Sequence, residues 1–188
     1  MNRAVAPCIP QPSPGERVDA LSDRVMFRLA YRNFGDHESL VVNHTIGGGP
    51  LAGVRWYEIR DPSAPSVFQQ STLIDPNINY WLGSIAMDSV GDTALGFSVS
   101  SQSVFPSINV GGRTAMDPAG AMFGPLVLVN GSGVQFNSFH RWGDYSSMSI
   151  DPTDDCTFWY TNEYYAVTGS FNWSTRIGSF KFDACGNR

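Results

Sequence analysis

The chain has 188 residues, of which 42% are hydrophobic and only 15% are charged, so its composition excludes an intrinsically disordered protein. Its formal charge of −5 and its 12 scattered basic residues argue against nucleic-acid binding, and no apolar run approaches the roughly 18 residues of a membrane helix. The 13% of aromatic residues, together with 19 Gly and 12 Pro, are typical of β-strands joined by turns.

The first element in chain order is an N-terminal segment, residues 1–20, with prolines at positions 7, 10, 12 and 14. It has no apolar core of signal-peptide length, so we expect no export signal in the chain as given, or a fragment whose Met1 lies inside a longer protein. The stretch 3–10, RAVAPCIP, precedes the first predicted strand. We expect it to complete a sheet of a second copy of the chain.

Three later segments share one plan, in residues 25–61, 81–114 and 142–183. Each begins with a short strand, the first of them around Phe27-Leu29-Tyr31, and then turns at NFGDH, DSVGD or DPTDD. Asn, Asp and Gly tolerate the backbone of tight turns, so these are hairpin signals. A second and a third β-rich strand follow in each segment. The first two segments add a fourth strand, at 66–74 and 124–131.

Units of four antiparallel strands that repeat every roughly 40–60 residues are typical of β-propeller blades, and a generic β-sandwich is the alternative. We predict an all-β fold, a partial β-propeller of about three blades in residues 21–75, 76–132 and 133–188. Three blades are too few for a closed ring, and open ends leave sheet faces or edges bare. We therefore expect the chain to self-associate as a homo-oligomer, with a six-bladed dimer favoured.

Several long stretches resemble one group of proteins: RLAYRNFGDHESLVVNHT, GVRWYEIR, GSIAMD and RWGDYSSMSIDPTDDCTFWYTNEYY. They are similar to the C-terminal half of large bacterial secreted β-propeller proteins of the sialidase-like class. The resemblance runs from about Cys8 to Cys185 and implies a propeller fold and an extracellular parent protein. The Asp-box of sialidases is not intact, since DSVGDTALGF is only a relative of it. Because the three arginines and the tyrosine nucleophile also have no counterpart, sialidase activity is not implied.

The chain contains three cysteines, Cys8, Cys156 and Cys185, and no CxxC motif. A structural zinc–thiolate site is therefore not expected. Two alternatives remain: three buried thiols, or a disulfide between Cys156 and Cys185, which would indicate an oxidising compartment.

Two histidines give the most specific chemical hypothesis. His44 is predicted near the end of a strand of the first blade, and His140 in the loop before the first strand of the third. These blades are neighbours across the interface of a two-chain ring, so the two histidines, with Asp23, are candidate ligands of zinc or another divalent metal. Such a metal polarises water, which predicts a hydrolase of a small phosphate, sulfate or carboxyl ester. The alternative is a satisfied strand histidine and a solvated loop histidine.

The pentapeptide RWGDY, residues 141–145, precedes the first strand of the third blade. Arg141 is suited to holding an anion, and Asp144 and Tyr145 complete the candidate catalytic residues. The candidate substrate-binding residues are Trp142, Trp81, Tyr80 and Arg24. For the tryptophans the alternative is packing, because they occupy comparable repeat positions. A non-catalytic module that binds a glycan or another surface ligand is the second function class that the sequence leaves open.

Overall fold

The computed structural model describes residues 8–47 and 51–185, and every regular element within them is a β-strand. No helix of the length and apolarity needed to cross a membrane occurs in these residues. The strands are β1 (Ile9–Pro10), β2 (Arg17–Val18), β3 (Ala30–Asn33), β4 (Glu38–Gly47), β5 (Ala52–Arg60), β6 (Ser66–Leu73), β7 (Asn79–Met87), β8 (Thr93–Ser100), β9 (Ser107–Arg113), β10 (Phe123–Val129), β11 (Ser147–Ile150), β12 (Phe158–Tyr164) and β13 (Ser174–Phe180).

The strands form three larger antiparallel sheets and one small hairpin, in the order of the sequence. Sheet 1 is β3-β4-β5-β6, sheet 2 is β7-β8-β9-β10, and sheet 3 is β11-β12-β13; β1 and β2 pair with each other. Consecutive strands of each sheet pair antiparallel, as in a meander, through connections of up to nine residues. The predicted all-β class and the plan of three successive sheets, the last of them one strand shorter, are confirmed.

Asx turns close the first hairpin of each sheet. The Oδ1 atom of Asn33 accepts the Gly35 N–H at 2.7 Å, and that of Asp88 accepts the Val90 N–H at 3.0 Å. In sheet 3, Asp154 Oδ1 accepts two backbone N–H groups, at 2.9 and 3.0 Å. These short polar side chains replace missing backbone partners, which is why the turn signals in the sequence located the hairpins.

The first strand of sheet 1 begins later than the sequence predicts. Its pairing with β4 starts at Ala30 opposite Val41. Phe27 and Leu29, which were expected within the strand, precede it and are exposed, as is Val25. The alternation of apolar residues begins before β3, because β4 pairs only with the last part of the alternating segment.

Sheet 2 lies between the other two sheets and is buried on both faces. Val54 and Trp56 of sheet 1 belong to the same apolar cluster as Leu95 and Phe97 on one face of sheet 2. On the other face, residues of sheet 2 pack against Tyr160 of sheet 3 and its neighbours. This double burial explains the nearly continuous apolar character of β7 and β8.

The N-terminal hairpin covers a third apolar cluster, which contains Ile9, Val18, Trp81, Trp142 and Tyr165. The rings of Trp81 and Trp142 lie 5.8 Å apart. Of the segment expected to complete a sheet of a second copy, residues 3–7 lie outside the described residues. The strand at its end pairs with β2 of the same chain.

A disulfide joins Cys156 to Cys185. It links the first hairpin turn of sheet 3 to the chain that follows β13, so the end of the described chain is covalently tied to the hairpin end of this sheet. Of the two alternatives that the sequence left open, the bridge is the one found.

Candidate functional site

The loop before β11 carries most of the residues that the sequence singled out, and the N-terminal hairpin holds it in place. His140 has a φ of 56°, an uncommon backbone conformation for a residue other than glycine. Its Nδ1 atom lies 3.0 Å from the carbonyl oxygen of Arg17, and its own carbonyl accepts the Asp19 N–H at 2.8 Å. These contacts tie the start of the loop to the N-terminal hairpin.

Arg141 is the centre of a charged group that we call the Arg141 cluster: Asp19, His140, Arg141 and Asp144. Its guanidinium forms an ion pair with Asp144, in which Nε donates to Oδ1 at 3.1 Å, and a longer pair with Asp19 at 3.8 Å. Burial raises the pKa of Asp19, against the opposing effect of Arg141, and one of its carboxylate oxygens is buried without a hydrogen bond. Sequence analysis missed Asp19, because nothing in its local sequence indicates this long-range contact.

The Asp23–Arg24 pair lies close enough to the Arg141 cluster to influence its charges. The two side chains are bonded in a bidentate manner at 2.8 Å, which lowers the pKa of Asp23. The Arg24 charge also acts on Asp19, and it interacts with Tyr145. The structure therefore brings six of the predicted site residues to one surface: Asp23, Arg24, His140, Arg141, Asp144 and Tyr145.

Beside this cluster lies a cleft of about 340 Å³, which we call the Glu163 cleft. Four exposed aromatic side chains line it: Phe139, Tyr145, Phe171 and Trp173. The Phe171 ring lies 6.0 Å from that of Phe139 and 6.5 Å from that of Trp173, so the three rings form a row. Arg141 and Asp144 belong to both the cluster and the cleft.

Glu163 of β12 supplies the carboxyl group of this cleft. The Gly143 N–H donates to its Oε1 at 2.8 Å, and burial raises the pKa of the carboxyl group. A Cβ atom at Gly143 would lie 2.9 Å from the Glu163 carboxyl carbon, so the close approach depends on glycine. Within residues 8–47 and 51–185, no Lys or Arg forms an ion pair with Glu163. Sequence analysis noted Glu163 only as the single acid of its strand.

Trp142, Trp81 and Tyr80, predicted to bind substrate, are all buried in the core. The Trp142 Nε1–H donates to Ser98 Oγ at 3.0 Å, so even its polar atom is used in packing between sheets. The Tyr80 ring packs at 4.9 Å from Phe97, and burial raises the pKa of its hydroxyl to about 12. For the tryptophans, the packing role that the sequence left open is the one seen in the structure.

His44 lies on the face of sheet 1 that points away from sheet 2. Its Nε2 atom is 3.1 Å from the Tyr57 hydroxyl, and the two rings are stacked. Burial and the charge of Arg55 lower the pKa of His44, so its imidazole is neutral at neutral pH. Within the described ranges, no three His, Cys, Asp or Glu side chains are arranged to hold a metal ion. A site shared between His44 and His140 of two chains stays a prediction.

A second cleft, of about 280 Å³, lies between the hairpin ends of sheets 1 and 2 and contains the carboxylate of Glu58. That carboxylate accepts hydrogen bonds from Ser39, Arg60 and Gln69, at 2.6 to 2.8 Å. These bonds outweigh burial and lower its pKa. Because the group is fully satisfied by the fold, we assign it a structural role.

No protein-family model, curated protein or solved structure matches this chain. Its function is therefore argued from the chemistry of the two surfaces beside the loop before β11.

Proposed function

We propose that this protein is a glycan-binding module and that its ligand occupies the Glu163 cleft. The observation that carries the proposal is the row of exposed aromatic rings beside a carboxyl group and an arginine–carboxylate pair. Exposed apolar side chains gathered in a concave surface with a few polar groups are typical of a binding site.

The chemistry of the cleft fits a sugar. Aromatic ring faces offer apolar surface to the C–H faces of a pyranose, while sugar hydroxyl groups need both donors and acceptors. Arg141 supplies donors, and Asp144 and Glu163 supply acceptors. Glu163 bonds only one backbone N–H in the described contacts, so its remaining acceptor positions are suited to hydroxyl groups.

The wider setting supports the same class of ligand. We interpret the three stacked sheets as three blades of a β-propeller, in line with the resemblance to secreted sialidase-like proteins. The Cys156–Cys185 disulfide is typical of an oxidising compartment, such as the outside of a bacterium, where glycans are abundant.

A metal-assisted ester hydrolase is the second candidate, and the histidines favour it. The Nδ1 atom of His140 is positioned to donate to a backbone carbonyl, which leaves Nε2 with a lone pair. This is the arrangement that orients histidine ligands toward a metal ion. His44, neutral through its lowered pKa, is the other nitrogen ligand of this hypothesis.

A glycan array tests the first candidate. We expect the wild-type protein to bind a defined set of glycans in the presence of EDTA, and Trp173→Ala and Glu163→Gln to weaken binding by about tenfold or more. Phe123→Ala is the matched control, since Phe123 is also an exposed aromatic residue but lies on β10, outside the cleft. Unchanged binding by both cleft variants would refute the assignment.

Metal analysis tests the second candidate. If the hydrolase hypothesis is correct, the purified protein binds one divalent ion per site, and His140→Ala loses both the ion and ester hydrolysis. Ester hydrolysis that persists in EDTA or in His140→Ala would contradict it.

A further inference from the structure

Inside the chain, sheet 1 packs on sheet 2 and sheet 2 packs on sheet 3. The outward faces of sheets 3 and 1 occupy the equivalent positions of one more interface of this kind. We propose that a second copy docks its sheet 1 on sheet 3 of the first, so that two copies close a ring of six sheets. The second copy then supplies a missing wall of the Glu163 cleft. Only this last point rests on the proposed function.

The three first hairpins give a common reference for comparing the sheets. Their last residue pairs are Asn33–Glu38, Met87–Thr93 and Ile150–Phe158. From the second member of each pair we count five residues along the second strand. The residue at this position is Asn43 in sheet 1, Ser98 in sheet 2 and Glu163 in sheet 3.

At the first two of these positions, the side chain faces the next sheet. A Cβ atom on Gly83 of sheet 2 would lie 2.7 Å from Asn43 Oδ1. The Trp142 side chain, just before sheet 3, donates to Ser98 Oγ. By the same position Glu163 faces the place of a next sheet, and the Glu163 cleft borders that place.

The inner interface between sheets 2 and 3 packs large residues on small ones. The Tyr160 ring lies where a Cβ of Gly96 would be, within 2.3 to 2.5 Å, and Asn162 Nδ2 donates to Ser98 Oγ at 3.0 Å. If sheet 1 of a second copy packs on sheet 3 in the same way, Leu40 takes the position of Tyr160 and lies opposite Thr161. Val42 takes the position of Asn162 and lies opposite Glu163.

The two outer faces differ in character. Sheet 1 points large side chains outward, among them Leu40, Tyr57 and the already buried Val42, whereas sheet 3 points outward the small residues Ser147, Ser149 and Thr161 together with two large exposed ones, Trp159 and Ile177. They also differ in charge, since Arg55 lies on the first face and Glu163 on the second. Unlike faces of this kind favour a head-to-tail contact over a contact between identical faces.

The missing cleft wall follows from the same comparison. Trp142 lies eight residues before Ile150, and Val25 lies eight residues before Asn33. Val25, Phe27 and Leu29 are exposed in a single chain although they are apolar. In the second copy, this segment enters the ring beside Glu163, as Trp142 does beside Ser98, and forms the wall that one chain lacks.

With this contact, two copies of the chain are the number that closes a ring. A head-to-tail contact forms a ring when its rotation closes, and otherwise an open filament. Two chains of three sheets give six, within the four to eight blades typical of propellers, whereas three chains would give nine.

Sedimentation equilibrium tests the contact. We expect the wild-type protein to have twice its chain mass of 20.6 kDa at micromolar concentration. Leu40→Glu and Thr161→Lys should each weaken self-association by about tenfold or more, because each buries an unpaired charge. Leu126→Glu is the control for the first: Leu126 is an exposed leucine on the outer strand β10. Circular dichroism checks that every variant is folded.

Mixing the two variants is the decisive measurement. A mixture of Leu40→Glu and Thr161→Lys chains has one wild-type contact and one Glu–Lys contact per ring, so we expect the dimer mass to return. A monomeric wild-type protein would overturn the proposal, and so would a mixture of folded variants that stays monomeric. Disruption by Leu40→Glu but not by Thr161→Lys would instead indicate a contact between identical faces.

The same samples separate this inference from the proposed function. A monomer that binds glycans refutes the ring alone. A dimer without glycan binding refutes the glycan site alone.

Discussion

At the residue scale, one carboxyl group with a strongly raised pKa lies outside the candidate site. Asp88 is fully buried in the first hairpin turn of sheet 2, and its Oδ1 accepts the N–H groups of Val90 and Asp92. Its Oδ2 is buried without a partner. Burial, together with the charge of Asp92, raises its pKa from 3.8 to about 6.

This raised pKa predicts a loss of stability as the pH rises. Between pH 4 and 6 the folded chain holds a proton that the unfolded chain has released, so the free energy of unfolding falls across this window and stays low above it. Asp88→Asn keeps the Oδ1 acceptor and removes the charge. We expect it to stabilise the protein at pH 7 by on the order of 2 kcal/mol, with little effect below pH 4. Urea unfolding across this range measures both.

Asp154→Asn is the control of opposite sign. Hydrogen bonds from Thr157 and Cys156 lower the pKa of Asp154 to about 2, so its ionised form stabilises the fold above pH 4 and that contribution is lost in acid. We expect this variant to be destabilised at pH 7. A pH dependence of Asp88→Asn that resembles that of Asp154→Asn would contradict the assignment.

At the element scale, the contact of β12 with β8 depends on one glycine. The Tyr160 ring occupies the space in which any side chain at Gly96 would lie. Tyr160 is itself completely buried, so its ring cannot move into solvent. The sheets can therefore approach this closely only without a Cβ at position 96.

Gly96→Ala should therefore destabilise the protein, by about 1–3 kcal/mol or more, as overpacking of a core does. Denaturant unfolding gives the free energy. The double variant Gly96→Ala, Tyr160→Leu should lose less free energy of unfolding than the sum of the two single variants, because the smaller leucine makes room for the new methyl group. Additive losses would show that the two positions do not share this space.

At the scale of the whole molecule, one arginine connects all three sheets. The Arg32 Nε–H donates to the carbonyl of Met87 at 2.9 Å, and its terminal nitrogens donate to both carboxylate oxygens of Asp155, at 2.8 and 2.7 Å. Arg32 is the penultimate residue of β3, Met87 ends β7, and Asp155 lies in the first hairpin turn of sheet 3. The hairpin ends of the stack are thus held together by one planar side chain.

We expect Arg32→Met to lower the free energy of unfolding by about 1 kcal/mol at pH 7, since Asp155 is half exposed and solvent screens the pair. The bond to Arg32 lowers the pKa of Asp155, so this contribution should fade as the pH falls below 4 and the carboxylate is protonated. Arg24→Met, which removes an exposed ion pair within one loop, should change the stability by less. A pH-independent effect of Arg32→Met would point to packing instead of charge.

The strands and turns of this protein are determined locally, which is why its sequence predicted them. Alternating side chains mark strands, and Asn, Asp and Gly mark the hairpins, because both depend on neighbouring residues along the chain. The sequence also located the loop of His140 and Arg141 as a candidate site. The sequence could not predict the first residue of β3, because that residue depends on where β4 stops pairing with the preceding segment.

Only the tertiary structure decided which of the candidate residues reach a surface. Trp142 and Trp81 are covered by the N-terminal hairpin, because large apolar rings gain most from burial. Even for Trp81, the nearer of the two, this hairpin lies more than 60 residues earlier in the sequence. Asp19 and Glu163 join the site through contacts with residues far away in the sequence. Such contacts depend on the register and stacking of whole sheets, which no local pattern of side chains records.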